Sequence, residues 1–395
     1  MHLAIPHYTA TSAVGEGLQA LGASIVNRSS GLRRNDFECC DINTWIGRAP
    51  GISSVHLPPE LRHLDSRNNR LAWLGLQQDG MLEFVQQIVS MVGAERIGVI
   101  MGTSTSSIGD IERAYRNLDK DGRMRPQDQK PEVQNMHAAG IFVAAATGLK
   151  GPCMTISTAC SSSAKVFASA ARWIDCGFVD ATLIGGVDSL CLNTLYGFNS
   201  LELVSPEPCR PSDRDRRGIS IGEAAGYAVV CRPDLLRGKH PLLLGYGESS
   251  DAFHMSHPHP EGKGALSAID QALARAKLDA DDIGYVNLHG TASKANDAVE
   301  NKALAARFNN ETLCSSTKGW TGHTLGAAGM LEAVITLEVI RTGVVPGTLN
   351  CENVDPAFGF PVLQENTTAS LRYALSNSFG FGGNNASLVF GACDD

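Results

Sequence analysis

Three segments of the chain carry side chains whose types and spacing could do nucleophilic chemistry. The first is Thr155-Ile-Ser-Thr-Ala-Cys-Ser-Ser-Ser-Ala-Lys165, with Cys160 in a turn of small residues. The residues after it repeat an apolar face at Ala164, Phe167, Ala168 and Ala171, and Gly177 ends the pattern. Cys160 is therefore predicted at a helix N-terminus, where unpaired N–H groups and the dipole favour thiolate and offer donors to an oxyanion. The competing reading is a buried, inert thiol. The second segment, His289-Gly-Thr-Ala-Ser, follows an apolar run, which puts the imidazole in the turn after a strand, where open α/β sheets hold their sites. A structural, hydrogen-bonded histidine fits that window as well. The third places Lys318 and His323 in a glycine-rich loop leading into an alanine-rich helix, with Glu332 fourteen residues beyond the lysine. A tight packing loop is its plain alternative.

The elements that must hold these groups alternate. Arg96–Met101, Ala181–Gly186 and Ile283–Leu288 read as buried strands and Leu266–Ala276 as a helix, which is α/β order. Two glycine-rich segments, Gly218–Val230 and Ser378–Phe390, read as similar hairpins that each close one half of a duplicated fold. The polar stretch Cys231–Pro241 then marks the junction, dividing the chain into 1–237 with the cysteine and 238–395 with the histidines, lysine and glycine-rich turn. Asp119–Pro131 is charged and reads as a surface loop.

Composition narrows the class. The chain has 395 residues, 43% apolar and 19% charged, enough for a large core in an enzyme-sized globular protein. Eleven cysteines from Cys39 to Cys393, with no CxxC pair, argue against a disulfide framework or zinc cluster and fit a reducing cytoplasm. Neither a signal-like N-terminal pattern nor an apolar run of membrane-spanning length is present, so neither export nor membrane insertion is expected. A net charge of -8 argues against broad nucleic-acid binding and leaves room for a local basic patch that receives an acidic partner.

Taken together, the segments resemble the β-ketoacyl carrier-protein synthases, the elongating condensing enzymes of fatty-acid and polyketide synthesis. The resemblance runs through the Cys160 turn, Asp251-Ala-Phe-His-Met255, His289-Gly-Thr291, Ser316-Thr-Lys318 with the Gly-His loop at His323, and Asn377-Ser-Phe-Gly-Phe-Gly-Gly-Asn384. It implies the thiolase fold, with duplicated halves in a five-layer αβαβα arrangement, and usually a homodimer. It implies Cys160 as acyl acceptor, His289 and His323 as the pair that stabilises an enolate, Lys318 with Glu332 as organisers, and Phe381 as a gate whose N–H joins the oxyanion hole. Thr291, Ser293 and Ser256 would meet the phosphopantetheine arm that the acyl carrier protein supplies. Ile108, Ile219, Gly380 and Gly382 would shape the substrate site, with Gln134–His137 lining a tunnel at the dimer interface. Arg67 and Arg70 match basic positions of the docking helix for the acidic carrier protein. No bound cofactor or metal is implied.

The departures are specific. The segment Arg210–Ile219 has Ser212 and Ile219 where aromatic residues are usual, which predicts an altered pocket shape, and Glu202 stands where a relative carries an arginine. Three other readings stay open: a chain-length partner subunit of a heterodimer, a thiolase acting on coenzyme A, and a cysteine hydrolase. Retention of Cys160 weighs against the first. The paired histidines, with no second catalytic cysteine motif near Cys314, Cys351 or Cys393, weigh against the second. The glycine-rich gate is unexplained by the third.

Overall fold

In the computed structural model, which describes residues 2–392 and so leaves Cys393 outside, ten strands follow one path. They are β1 (Leu3–Ser12), β2 (Ile97–Gly102), β3 (Cys153–Ile156), β4 (Ala181–Asp188), β5 (Ala224–Cys231), β6 (Leu242–Ser250), β7 (Tyr285–Asn287), β8 (Leu313–Ser315), β9 (Tyr373–Gly380) and β10 (Asn384–Gly391). The N-terminal half runs β3-β2-β4-β5-β1 and the C-terminal half β8-β7-β9-β10-β6, the same order from each outer edge. The senses also match: β2 is parallel to β3 and β4, as β7 is to β8 and β9, and the remaining pairs within each half are antiparallel. The halves meet through a short β1–β6 contact at Leu3–Leu243 and Ala4–Leu242. The duplication is thus a property of strand order.

Helices complete five layers. Helices α1 (Arg67–Leu76), α2 (Met81–Val92) and α3 (Ala138–Thr147) bury Leu71, Val85 and Phe142 against the outer face of the N-terminal sheet. Two central helices, α4 (Ser162–Asp175) after β3 and α7 (Ala328–Thr342) after β8, contribute Val166, Phe167, Val334 and Leu337 to the core between the sheets. Helices α5 (Lys263–Ala276) and α6 (Lys294–Arg307) cover the C-terminal sheet through Ile269, Leu273 and Leu304. The central helices are buried nearly all round, as a layer packed on both faces must be. Their N-terminal ends approach so closely that a Cβ on Gly329 would lie 2.7 Å from that of Ala164.

The expected strands and helices lie where β2, β4, β7, α4 and α5 form, and Asp119–Pro131 is a mostly exposed loop. The hairpin expectation holds only once. Ser378–Phe390 folds back through the tight turn Phe381–Gly383, where Gly382 has φ +77°. Gly218–Val230 is not a hairpin, because Ile221–Gly222 pairs with Trp45–Gly47 before the chain enters β5. The antiparallel partners of β5 are β1 and β4, the nearer of which ends 36 residues earlier. A shared glycine-rich composition hid a long connection.

Candidate active site

Turns after four strands deliver the reactive groups, two of them after the equivalent outer strands β3 and β8. Cys160 follows β3, and Lys318 and His323 follow β8; His289 follows β7, and Phe381 follows β9. All four turns open at the C-terminal ends of strands, where side chains from both halves converge. The backbone is held in uncommon conformations there, with Ala159 at φ +53° before the cysteine and Leu325 at φ +55° after His323.

At the centre, His323 Nε2 lies 3.0 Å from Cys160 Sγ. The two imidazoles stand nearly perpendicular with ring centroids 5.3 Å apart. Leu325 N–H donates to His323 Nδ1 at 3.3 Å, and the Lys318 ammonium lies 3.5 Å from His289 Nδ1. Each Nδ1 therefore accepts, which puts the hydrogen of each neutral ring on Nε2. Burial, with the Lys318 charge adding to it, holds both histidines well below their ordinary pKa. Both rings are thus neutral donors.

Cys160 corrects one expectation. It does sit just ahead of α4, with Ser161 at the cap, but burial pushes its thiol up to about 11. Lys318 and the Phe381 N–H, which donates to the sulfur, oppose that shift without overcoming it. The resting group is a thiol, because desolvation outweighs the helix terminus.

Lys318 is buried, pairs with Glu332 and donates to the carbonyl of His289. Burial raises the Glu332 carboxyl and the lysine opposes it. Cys160, His289 and His323 present ligand atoms within 4.8 Å of one another, a spacing a soft metal could bridge, but the adjacent ammonium disfavours a second cation.

A cavity of about 770 Å³ opens onto these groups. It is lined by Cys160, His289, His323, Phe381, Thr291, Ser293, Ser256, Ile219, Gly380 and Gly382, so the structure brings together most of the residues singled out above. Thr291 and Ser293 share a hydroxyl contact of 2.9 Å, and the Phe381 ring lies 5.5 Å from that of Phe198.

Four residues are placed differently from the rest. Ile108 does not line this cavity; it is half-buried at the start of the helix Ile108–Arg116. Ser212 sits behind the site, its N–H donating to Asp297 at 2.9 Å, so of the two atypical residues only Ile219 shapes the wall. Arg67 is not a free docking cation: it grips the buried Glu223 through two hydrogen bonds of 2.6 and 3.1 Å. Arg70 is half-exposed and holds Asp65 through two bonds of 2.6 Å. The helix face carrying both has its charge balanced.

Two carboxylates escaped notice. Glu300 accepts the N–H groups of His289 and Gly290, each at 2.8 Å, and burial raises its pKa to about 7. Asp188 accepts from Thr105 N–H and Gly326 N–H at 3.0 and 2.6 Å, tying the loop after β2 to the turn that carries His323. Their signals were present: Asp188 ends an apolar strand, and Asp297 and Glu300 share the buried face of α6.

A duplicated α/β protein with a buried cysteine, two neutral histidines and a lysine at the meeting of its halves is a carbon–carbon condensing scaffold. Residues 77–234 match the family Beta-ketoacyl synthase, N-terminal domain, and residues 241–352 match Beta-ketoacyl synthase, C-terminal domain. The chain is 35% identical to 3-oxoacyl-[acyl-carrier-protein] synthase 2 of Vibrio cholerae over 76% of its own length and 77% of that protein. It is 36% identical to nodulation protein E of Rhizobium meliloti, covering 75% of this chain and 76% of that one. Among solved structures, the ketosynthase ApeO in complex with its chain length factor ApeC from Xenorhabdus doucetiae superposes with TM-score 0.89 at 35% identity, covering 99% and 98% of the two chains. The chain belongs to the β-ketoacyl synthase family, and its five layers are those of the thiolase fold.

Proposed function

We propose that this chain condenses an acyl group held on Cys160 with malonyl-acyl carrier protein, releasing carbon dioxide and giving β-ketoacyl-acyl carrier protein. The observation that carries the reading is the convergence of Cys160 with two imidazoles whose Nε2–H groups face the same cavity. In the first step Cys160 sulfur attacks the acyl thioester, and its proton ends on the departing phosphopantetheine thiol. The N–H groups of Cys160 and Phe381 receive the carbonyl oxygen.

In the second step the malonyl carboxylate leaves as carbon dioxide and its bonding pair becomes an enolate. His289 and His323 donate to the enolate oxygen, a task for neutral rings. The enolate carbon attacks the acyl carbonyl, and the cysteine thiolate leaves. Lys318, with Glu332, fixes His289 from behind. Neither a metal nor a redox cofactor is required; the phosphopantetheine arm arrives with the carrier protein, past Thr291, Ser293 and Ser256.

The carrier protein docks around the cavity mouth, where Arg214, Arg217 and Lys294 are exposed. Arg70 contributes at most a neutralised edge. The chain works as a dimer in the cytoplasm, consistent with its ten free cysteines among the described residues. The outer strand β3 offers an unpaired edge for a second chain. We infer functional halves at 1–237 and 238–395. A self-complementary homodimer is our primary reading. The specific observation favouring a heterodimer is the likeness to ketosynthases solved with chain length factors, the ishigamide pair also reaching a TM-score of 0.89 at 26% identity. Mass spectrometry of the protein after incubation with acyl carrier proteins of several chain lengths tests the first step: acyl mass on Cys160 supports the reading and its absence with every donor overturns it.

A further inference from the structure

The segment Asp251–Pro260, at one side of the cavity mouth, holds three histidines in the pattern His254-Met-Ser-His257-Pro-His259. None is used by the chemistry above. The Nδ1 atoms of His254 and His257 face one another at 3.2 Å, and Ser256 Oγ lies 3.4 and 3.1 Å from them. These three donor atoms form a nearly equilateral triangle. For a tetrahedral ion with ligands at about 2.05 Å, neighbouring donors lie about 3.3 Å apart, so the triangle has the dimensions of one coordination face. Without an ion, Ser256 N–H donates to His254 Nδ1 at 3.2 Å and the Ser256 hydroxyl, 3.1 Å from His257 Nδ1, is placed to donate there. An ion held by both lone pairs takes the place of these two hydrogens.

The surroundings favour such a site. His254 and His257 are exposed, so an ion reaches them from solvent, and no lysine or arginine lies between Asp251 and Pro260. Pro258 and Pro260 restrict the backbone and lower the cost of ordering it. Imidazole nitrogens with a weak oxygen ligand suit a borderline divalent ion such as zinc or cobalt. We propose that His254 and His257, with Ser256 Oγ or water completing the shell, bind a divalent transition-metal ion, and that occupancy slows condensation.

The slowing follows from two connections. Met255, between the ligands, accepts the N–H of Gly382 on its carbonyl at 2.7 Å, and Asp251 N–H donates to Gly383 at 2.9 Å. Clamping His254 to His257 therefore stiffens the support of the gate turn. His257 and Ser256 also line the cavity, so the ion stands beside the path of the arm. This consequence rests on the ketosynthase reading; the binding does not.

The test uses tag-free, full-length protein. Calorimetric and absorbance titration of a Cys160→Ala chain with cobalt alone should give one saturable site without thiolate charge-transfer bands. Substitutions His254→Gln and His257→Gln, each added separately, should weaken binding roughly tenfold or more. Failure to saturate, or unchanged affinity in both variants, overturns the site. With wild-type Cys160, zinc should slow condensation, and each glutamine variant, compared with its own metal-free rate, should resist. Equal zinc sensitivity in all three proteins, or no sensitivity at saturation, overturns the regulatory role. Metal-free acyl loading of Cys160 reports separately on the enzymatic reading.

Discussion

His323 presents Nε2 to Cys160 Sγ at 3.0 Å while its Nδ1 accepts the Leu325 N–H at 3.3 Å. The ring is therefore arranged to donate toward the sulfur, and serving as its permanent base would require the other tautomer. Acyl loading then depends mainly on the cysteine and the oxyanion donors. We expect His289→Ala and His323→Ala to retain substantial loading yet lose decarboxylation by roughly 10²–10³-fold, the scale of a lost oxyanion-type donor. Separate assays of acyl-enzyme mass and carbon dioxide release check this; normal decarboxylation with failed loading would reverse the roles.

The buried thiol sets a pH dependence. Its pKa is raised to about 11, so below that value the thiolate fraction grows about tenfold for each pH unit. Iodoacetamide alkylation of Cys160 should accordingly climb from pH 7 to 9 without a plateau. Lys318→Ala removes a charge that favours thiolate and should slow alkylation at any fixed pH in this range. Saturation below pH 8 would contradict the burial argument.

Glu332 and Lys318 form a buried pair whose side chains are 3% and 2% exposed. Glu332→Ala leaves the ammonium uncompensated and should cost about 3–5 kcal/mol of stability. The same loss frees Lys318 from the lower side of His289, so decarboxylation should fall more than loading in whatever fraction remains folded. Urea unfolding and the two partial reactions measure both effects. An unchanged unfolding midpoint would remove Glu332 from the role given to it.

Docking is testable by charge reversal at two places. Arg214→Glu with Arg217→Glu should raise the apparent KM for carrier protein, with an effect that shrinks as salt rises. Arg67→Glu should instead destabilise the fold, since it sets a second carboxylate beside the wholly buried Glu223. A salt-dependent KM effect from Arg67 with unaltered stability would return docking to that helix.

The sequence disclosed what local chemistry controls. Cys160, His289, Lys318 and His323 stand in short turns after strands, and those turns are legible from spacing and small residues. The equivalence of the halves was legible only in part, because strand order depends on partners far apart, and the segment after Gly218 pairs with Ile46 and Gly47 instead of folding on itself. Burial was less legible still. Nothing near Arg67 announces a partner 156 residues away, and nothing near Cys160 announces the desolvation that keeps it a thiol. Glu300 had the clearest missed signal, an acid on a helix face otherwise turned inward.

On the function proposed above, Cys160 carries the acyl chain and this chain alone completes the condensation. The most direct measurement combines light scattering of the purified protein with mass analysis after mixing it with acyl- and malonyl-acyl carrier protein. We expect a dimer that yields β-ketoacyl-acyl carrier protein, with product and acyl-enzyme both absent in Cys160→Ala. A wild-type protein that is never acylated, or one that loads acyl groups yet makes product only after a second ketosynthase-like chain is added, would contradict it.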